Sequence, residues 1–411
     1  MQGSAAKTGA SRIFLLIFLA AMIEGFDLQA AGVAAPKLAP YFKLTPAEMG
    51  LFFSSATFGL IFGAIFGGFV SDRFGRRLGL ALSLIVFGIF SMATAAAGSI
   101  ESLVVLRFLT GLGLGGALPN LVSIAAEAAK PERRGWAVSL MYAGVPLGGG
   151  VASVIAMAGL HDDWRSIFIA GGIMPVLLVG PLLALLPPLT IDKAEKEAST
   201  GAWKQLFSQT AIARTLLLWI GFFFSILVLY LLLNWLPTLL VTRGLGREQA
   251  GVIQLVFNVA GACGSLLAGW SLDSDRKVLN GAICFALLVG SLILMGLAPA
   301  SMAINTLAGA MVGVSIMAAQ ALLYGIAPQC YTTDVRGTGV GLAVAAGRIG
   351  SVVGPLLGGG LVASGRSPSE VLMAIVPVAL IGGIATLVLM ARISGQPKQG
   401  RSRVATAAAK S

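Results

Sequence analysis

The chain has 411 residues, of which 57% are apolar and only 11% are charged. A soluble domain carries about 25% charged residues, so the composition excludes a soluble enzyme, a secreted disulfide domain and a disordered protein, and it indicates a polytopic membrane protein. The net charge of +11 is spread along the chain rather than gathered into basic arms, which argues against nucleic-acid binding.

Twelve apolar runs follow one another along the chain, each about as long as a helix that spans a bilayer. They lie at 12–35, 49–70, 78–98, 102–126, 136–158, 166–187, 212–241, 249–270, 278–297, 302–327, 337–363 and 369–391. The first run contains two carboxylates and is followed by many more, so we interpret it as a spanning helix rather than a signal peptide. The runs predict an all-α fold with twelve transmembrane helices.

The longest polar stretch, 188–211, divides the apolar runs into two sets of six. It predicts a six-helix bundle at 1–187, a linker at 188–211, a second six-helix bundle at 212–394 and a disordered basic tail at 395–411. The residues that recur at nearly constant spacing are Gly63, Gly68 and Asp72 in the first half and Gly264, Gly269 and Asp273 in the second. Repeated six-helix halves are typical of transporters whose halves rock about a central site.

Lysine and arginine are concentrated in the loops that would lie on the same side as the N-terminus. By the positive-inside rule that side is cytoplasmic. We therefore expect a monomer in the lipid bilayer of the inner (cytoplasmic) membrane, with both termini and the linker in the cytoplasm.

Two carboxylates, Glu24 and Asp27, lie inside the first apolar run. Because residues three apart share a face of a helix, both side chains are expected to point the same way. Two neighbouring carboxylates in a low dielectric do not ionise together easily, which suits a proton carrier. We predict that Asp27 carries the coupling proton and that Glu24 shares the site. The competing interpretation is a structural carboxylate tied to a helix end.

The short loop after the second run reads Gly-Phe-Val-Ser-Asp-Arg-Phe-Gly-Arg-Arg at 68–77. It resembles the G-x-x-x-D-R-x-G-R-R loop of the major facilitator superfamily at every fixed position. The resemblance implies an inner gate, in which glycine permits close helix approach and the carboxylate reaches the other half. Positive-inside anchoring alone would explain the arginines but not the spacing. The predicted gate residues are Gly68, Asp72, Arg73, Gly75, Arg76, Arg77 and Glu127.

Two arginines lie inside apolar runs, Arg107 in the fourth and Arg348 in the eleventh. We assign Arg107 to the proton-coupling group, with snorkelling to the nearer interface as the competing explanation. Arg348 is near the middle of its run, where a cation needs a partner. We predict that Arg348 anchors a substrate carboxylate, and a structural pairing with Asp27 or Glu24 is the alternative.

Sequence motifs for nucleotide and metal chemistry are missing. No G-x-x-x-x-G-K-[ST] loop occurs, which excludes an ATP-driven pump. One histidine, His161, and three cysteines without paired spacing argue against a metal centre or a disulfide framework. We therefore expect no cofactor, no metal, no nucleic-acid partner and no enzymatic activity.

Several segments resemble the aromatic acid:proton symporter family of the major facilitator superfamily, over essentially all the apolar runs. Within that family the chain is most similar to the branch that transports 3-(3-hydroxyphenyl)propionate, because it has Glu24 where many members have aspartate. The segments that carry the resemblance are 24–32, 113–120, 137–142, 234–237, 337–341 and 347–348.

The resemblance implies two pseudo-symmetric six-helix bundles and import of an aromatic carboxylate, of hydroxyphenylpropionate or benzoate type, with protons by alternating access. Two alternatives stay open: a proton-coupled carrier of another small organic anion, and a membrane sensor that binds aromatic acids without moving them. The residues expected to contact the substrate ring by stacking or hydrogen bonding are Gln29, Tyr142, Asn234, Trp235, Gln320 and Tyr324.

Overall fold

The apolar runs form helices because a backbone in lipid must satisfy its hydrogen bonds internally. The computed structural model describes residues 2–129, 134–157, 163–186, 206–208, 211–272, 276–332 and 335–394. The helices are α1 (Gln2–Phe42), α2 (Pro46–Phe74), α3 (Arg76–Thr94), α4 (Ile100–Ala128), α5 (Arg134–Met157), α6 (Arg165–Leu185), α7 (Ile212–Thr242), α8 (Arg247–Leu272), α9 (Lys277–Leu297), α10 (Met302–Ile326), α11 (Arg336–Ala363) and α12 (Pro368–Ser394). The predicted all-α fold is confirmed.

Polar residues and one glycine fix where the first helices begin and end. The Thr45 hydroxyl accepts a hydrogen bond from the Glu48 N–H, and the Glu48 carboxylate accepts one from the Thr45 N–H, which caps α2. Ser99 caps α4 in the same way. Gly75 separates α2 from α3 with a φ of 87°, which favours glycine. These caps confine each chain reversal to a few residues, so successive helices run antiparallel.

The helices pack as two similar bundles of six. In the first half α2 packs on α4, α1 on α5 and α3 on α6; in the second half α8 packs on α10, α7 on α11 and α9 on α12. The glycine repeat has a structural counterpart, since a Cβ at Gly63 would collide with the Leu112 carbonyl and one at Gly264 with the Val314 carbonyl. The predicted pair of pseudo-symmetric bundles is confirmed.

The outside of the bundles is apolar, as expected for a multi-pass membrane protein. Within the described chain, 11 helices are long and apolar enough to cross a membrane, and α5 contributes a shorter apolar stretch, Leu140–Ile155. Large side chains such as Phe66, Phe69, Leu177 and Ile283 are exposed on the helix surfaces. The predicted tail at 395–411 and nearly all of the linker at 188–211 lie outside the described residues.

The two halves meet where α2 packs on α11 and where α5 packs on α8. We call the end that holds the α1–α2 turn the outer end, and the end that holds the α2–α3 turn the inner end. In the outer part, Ser54 donates a hydrogen bond to the Val352 carbonyl at 2.7 Å, and Thr57 donates one to the Ser351 carbonyl at 3.2 Å. In the inner part, Gly68 and Gly341 have nothing within 4 Å of where a Cβ would lie. The described bonds therefore hold the halves together in the outer part.

Candidate functional site

Asp27 and Arg107 form a buried ion pair between α1 and α4. Nη1 of Arg107 lies 2.9 Å from Oδ2 and 3.1 Å from Oδ1 of Asp27, and Nη2 donates to the Asp27 carbonyl at 3.3 Å. Arg107 is 2% exposed and Asp27 is 0% exposed. The guanidinium is thus paired inside the bundle rather than turned towards a membrane surface.

Two further residues support this ion pair. The Ser91 hydroxyl is 2.9 Å from Asp27 Oδ1 and 3.3 Å from the Phe168 carbonyl, so it fixes the carboxylate against α6. The Arg107 guanidinium lies over the Phe168 ring at 5.6 Å, a cation–π distance. The Asp27 carboxylate is therefore held by partners on α3 and α4, and the guanidinium it binds rests on a ring of α6.

Arg348 has far fewer partners than Arg107. It is half-buried on α11, and its Nη1 donates to the Tyr230 hydroxyl of α7 at 3.2 Å. Asp27 pairs with Arg107, so it does not serve Arg348 as a structural partner. A guanidinium that offers five N–H donors keeps capacity for a carboxylate in this position.

Glu24 lies one turn from Asp27 on α1 but in a different environment. It is 2% exposed, and its Oε2 has no hydrogen-bond partner among the described residues. Its charge interacts with that of Arg348 across the two halves. Among the described ion pairs, however, none of 4.0 Å or less joins Glu24 to Arg348. An unpartnered oxygen on a buried carboxylate is costly unless the group is protonated or finds a partner.

Aromatic rings from both halves lie near Arg348 and Glu24. Tyr142 of α5 and Tyr324 of α10 face each other across the halves with ring centroids 5.8 Å apart, and Phe222 of α7 packs edge-on against Tyr324 at 5.0 Å. The charges of Glu24 and Arg348 act on both tyrosines. A cation, a carboxylate and flat apolar rings are thereby gathered between the two bundles.

Four of the residues predicted to contact substrate already have protein partners. They are Gln320, which donates to the Ser225 hydroxyl at 3.0 Å; Asn234, which donates to the Tyr230 carbonyl at 2.8 Å; Trp235, whose indole N–H donates to the Pro355 carbonyl at 2.9 Å; and Gln29, which donates to Asn258 at 2.8 Å. Trp235 also packs edge-on against Phe53 of the first half at 5.3 Å. Trp235 and Gln29 thus contribute to the contact between the halves.

Two arginines of the 68–77 loop attach the start of α3 to other helices of the first half. Arg76 forms an ion pair with Glu127 of α4, and Arg77 donates to the Leu183 carbonyl of α6. Arg73 lies 5.8 Å from the ring of Phe74. The loop therefore fastens the inner end of one bundle as a unit.

Gly68 does not make the close helix approach expected of it. A Cβ there would meet nothing within 4 Å, whereas a Cβ at Gly67 would collide with the Gly116 backbone of α4. The close approach therefore belongs to Gly67, because that face of α2 is the one turned towards α4. The side chain of Asp72 lies outside the described part of the structure.

Several residues of the site escaped the sequence interpretation. Tyr230, Ser91 and Phe168 occur in apolar surroundings where a small hydroxyl or an aromatic ring resembles core. The two residues on α8 that bind Gln29, Gln254 and Asn258, did carry a signal, since they are amides four positions apart in an apolar run. Among the described residues, no group of three or more His, Cys, Asp or Glu side chains is placed to hold a metal ion.

The sequence profile of the Major Facilitator Superfamily matches residues 17–355. The chain is 41% identical to the 3-(3-hydroxy-phenyl)propionate transporter of Escherichia coli strain K12, over 94% of this chain and 96% of that protein. It is 32% identical to the 4-hydroxybenzoate transporter PcaK of Pseudomonas aeruginosa, over 92% of this chain and 91% of the relative. Both alignments cover nearly the whole length of each protein.

Solved structures share the fold. The crystal structure of a D-xylose-proton symporter has a TM-score of 0.74 at 20% identity, covering 92% of this chain and 96% of that one. A bacterial homolog of the human lysosomal transporter Spinster, in an inward-facing and unoccupied conformation, has a TM-score of 0.70 at 17% identity, covering 94% and 95%. The profile match, the relatives and the two-bundle fold agree: the chain belongs to the Major Facilitator Superfamily.

Proposed function

We propose that the chain imports a small aromatic carboxylate together with a proton, by alternating access to a site between its two bundles. The observation that carries the proposal is Arg348, a half-buried cation in a membrane helix that donates to Tyr230 and lies among aromatic side chains. A cation in this position favours an anionic partner, and its planar fork fits a carboxylate with two parallel hydrogen bonds.

The aromatic part of the substrate is assigned to the rings of Tyr142, Tyr324 and Phe222. These rings come from both bundles, so a bound ring would contact both halves at once. Gln320 is close to the same region on α10 and supplies amide groups for a ring hydroxyl. The names of the two relatives support this class of substrate, since they specify hydroxyphenylpropionate and 4-hydroxybenzoate.

The coupling proton is assigned to Glu24, with Asp27 and Arg107 as the supporting pair. The sequence favoured Asp27, but that carboxylate already accepts hydrogen bonds from Arg107 and from the Ser91 hydroxyl. Glu24 has an oxygen without a hydrogen-bond partner among the described residues. A change of protonation therefore costs least at Glu24.

Charge balance links the proton to the substrate. With Glu24 ionised, the four charges deep in the bundles are Glu24, Asp27, Arg107 and Arg348, and they sum to zero. A bound monoanion adds one negative charge, and a proton on Glu24 restores neutrality. The neutral loaded carrier avoids an uncompensated charge in the membrane. A substrate carboxylate at Arg348 would also repel an ionised Glu24, so substrate binding favours proton uptake.

The proposed orientation places both termini in the cytoplasm of a cell with the monomer in its inner membrane. The distribution of lysine and arginine supports this orientation. The outer end, where the halves are joined, then faces away from the cytoplasm, and its hydrogen bonds support a state that is closed on the outer side. The gate loop at 68–77 lies at the inner end, where it would close the path in the opposite state.

Uptake by the purified chain in proteoliposomes tests the proposal. The vesicles receive an inward proton gradient and labelled 3-(3-hydroxyphenyl)propionate, 4-hydroxybenzoate or benzoate, with hexanoate as an aliphatic control. We expect accumulation of at least one aromatic acid, abolished by a protonophore. Accumulation of hexanoate alone would favour a carrier of other organic anions. Binding without accumulation would favour a sensor.

A further inference from the structure

Three buried amide side chains join the two bundles in their outer part. Gln29 of α1 and Asn258 of α8 exchange two hydrogen bonds of 2.8 Å, since each amide nitrogen donates to the other amide oxygen. Gln254, one turn from Asn258, donates its own N–H to the Gln29 oxygen at 2.9 Å. Gln29 is 1% exposed and the other two are 0% exposed. We call these three residues the amide cluster.

The amide cluster depends on the halves being together. Hydrogen bonds between side chains are strong in a low dielectric, and a buried amide that loses its partners is costly. When α1 and α8 separate, all three bonds that cross the halves are lost, and the amides must be hydrated instead. The cluster therefore favours the state in which the outer end is closed.

Gly149 of α5 makes room for the amide cluster. A Cβ at this position would collide with the side-chain amide of Gln29. Helix α5 packs against both α1 and α8, so position 149 faces the seam between the bundles. Glycine is thus needed here for Gln29 to reach Asn258, and any larger residue would displace the Gln29 amide.

A small cavity lies on the outer side of the amide cluster. Its volume is about 70 Å³, and Gln254 lines it together with Lys37, Trp164 and Arg247. Glu24 lies on the opposite side, because it precedes Gln29 by more than one turn towards the inner end of α1. Oε1 of Gln254 has no hydrogen-bond partner among the described residues, which leaves one acceptor for water at this boundary.

We propose that Gln29, Gln254 and Asn258 form a latch that closes the outer path to the substrate site, and that Gly149 is the positioning residue of this latch. The proposal rests on the proposed function in assuming that the two bundles rock against each other. It assigns to Gln29 a role in closing the transporter rather than in contacting the substrate ring.

Distances across the outer end, measured without substrate, test the latch. Spin labels are attached to the full chain in lipid nanodiscs at Ala96→Cys and Arg366→Cys, two exposed positions at the outer ends of opposite bundles. The background replaces Cys263, Cys284 and Cys330 by alanine. Double electron–electron resonance then gives the populations of the short distance, for the closed outer end, and of the long distance, for the open one.

We expect Gly149→Ala to lower the ratio of short to long distances by about tenfold. Each net hydrogen bond shifts an equilibrium by about fivefold, and water replaces part of the three that are lost. Gly360→Ala is the matched control, because a Cβ there meets nothing within 4 Å while the gain in helix propensity is the same. Gln29→Leu and Asn258→Leu should shift the ratio in the same direction as Gly149→Ala.

Unchanged distances in folded Gly149→Ala and Gln29→Leu proteins would overturn the latch. Should Gly149→Ala fail to fold, Gln29→Leu and Asn258→Leu decide the question, since they remove the bonds without a collision. A failure of the proposed function looks different: the wild-type chain accumulates no aromatic acid, while the distance shift in the variants persists.

Discussion

Arg107 and Arg348 are both arginines inside membrane helices, yet their surroundings differ. Arg107 has two bonds to the Asp27 carboxylate, one to its carbonyl and an aromatic ring beneath it, all within the first bundle. Arg348 donates to one tyrosine, and the nearby Glu24 stops short of an ion pair. Both terminal nitrogens of the first guanidinium are bonded to Asp27, whereas the second guanidinium retains hydrogen-bonding capacity between the bundles.

The difference shows how two carboxylates on the same helix can have different roles. Glu24 and Asp27 are a single turn apart on α1, but Asp27 faces α4 and Glu24 is oriented to interact with α11. A change of protonation would break the buried ion pair of Asp27 and Arg107, so this pair is suited to stabilise and orient the helices. An incomplete one can exchange a proton or accept a ligand, because neither change breaks a satisfied pair.

The largest effect is expected at Arg348. Arg348→Ala should abolish uptake and lower the affinity for an aromatic acid by about two to four decades, since losing one partner of a buried ionic contact costs about 3–5 kcal/mol. Arg348→Lys should be nearly as poor because an ammonium lacks the planar fork. Calorimetry with the acid and its uncharged amide measures this. An equal loss for both ligands would mean that Arg348 is structural.

Removing Arg107 should act on folding before it acts on binding. Arg107→Ala leaves Asp27 buried and unpaired, so the free energy of unfolding should fall by about 3–5 kcal/mol. Thermal melts in detergent would record a lower Tm, and adding Asp27→Asn should restore part of it. Arg348→Ala, which breaks one hydrogen bond to a neutral tyrosine hydroxyl and, among the described residues, no ion pair of 4.0 Å or less, serves as the control. If Arg348→Ala lowers the Tm as much as Arg107→Ala, the contrast between the two arginines fails.

Substitution of Glu24 and substitution of Asp27 should affect the pH dependence of substrate affinity differently. If Glu24 takes the proton, the affinity of the wild type for an anionic substrate falls as pH rises, because binding is linked to proton uptake. Glu24→Gln should remove this dependence and the proton-driven accumulation, while exchange of internal for external substrate persists. Asp27→Asn should keep a pH-dependent affinity. Substrate affinities of both variants measured over about pH 6–8 distinguish the two carboxylates. The reverse pattern would assign the coupling proton to Asp27.

The smallest effect on uptake is expected at the exposed ion pair of the inner end. It provides a reference for the larger effects expected at the buried charges. Arg76 and Glu127 have side-chain exposures of 19% and 38%, and such pairs contribute about 0–1 kcal/mol. Glu127→Gln should therefore change initial uptake rates by less than about threefold and leave the affinity intact. A loss of uptake as severe as that of Arg348→Ala would show that this ion pair controls the inner gate.

The sequence identified site residues where a charged side chain lies in an apolar run. Glu24, Asp27, Arg107 and Arg348 could be named because a charge in a long apolar run is costly and conspicuous. Tyr230 could not, since a tyrosine in the apolar run of α7 looks like any buried ring. For Trp235 the sequence predicted a contact with the substrate ring, and it could not indicate that the ring packs on Phe53 and that the indole N–H donates to the Pro355 carbonyl.

The sequence by itself determined the helices, their number and the two-bundle repeat, because apolar length and helical hydrogen bonding are local properties of a chain in lipid. Only the tertiary structure decided which charges meet. From its position in α1, Asp27 could face Arg107 or Arg348. Because α1 packs on α4, Asp27 forms its ion pair with Arg107. Likewise Gln29 found Gln254 and Asn258 because α1, α5 and α8 converge at one seam between the bundles. Partners far apart in sequence are fixed by helix packing, which no single apolar run encodes.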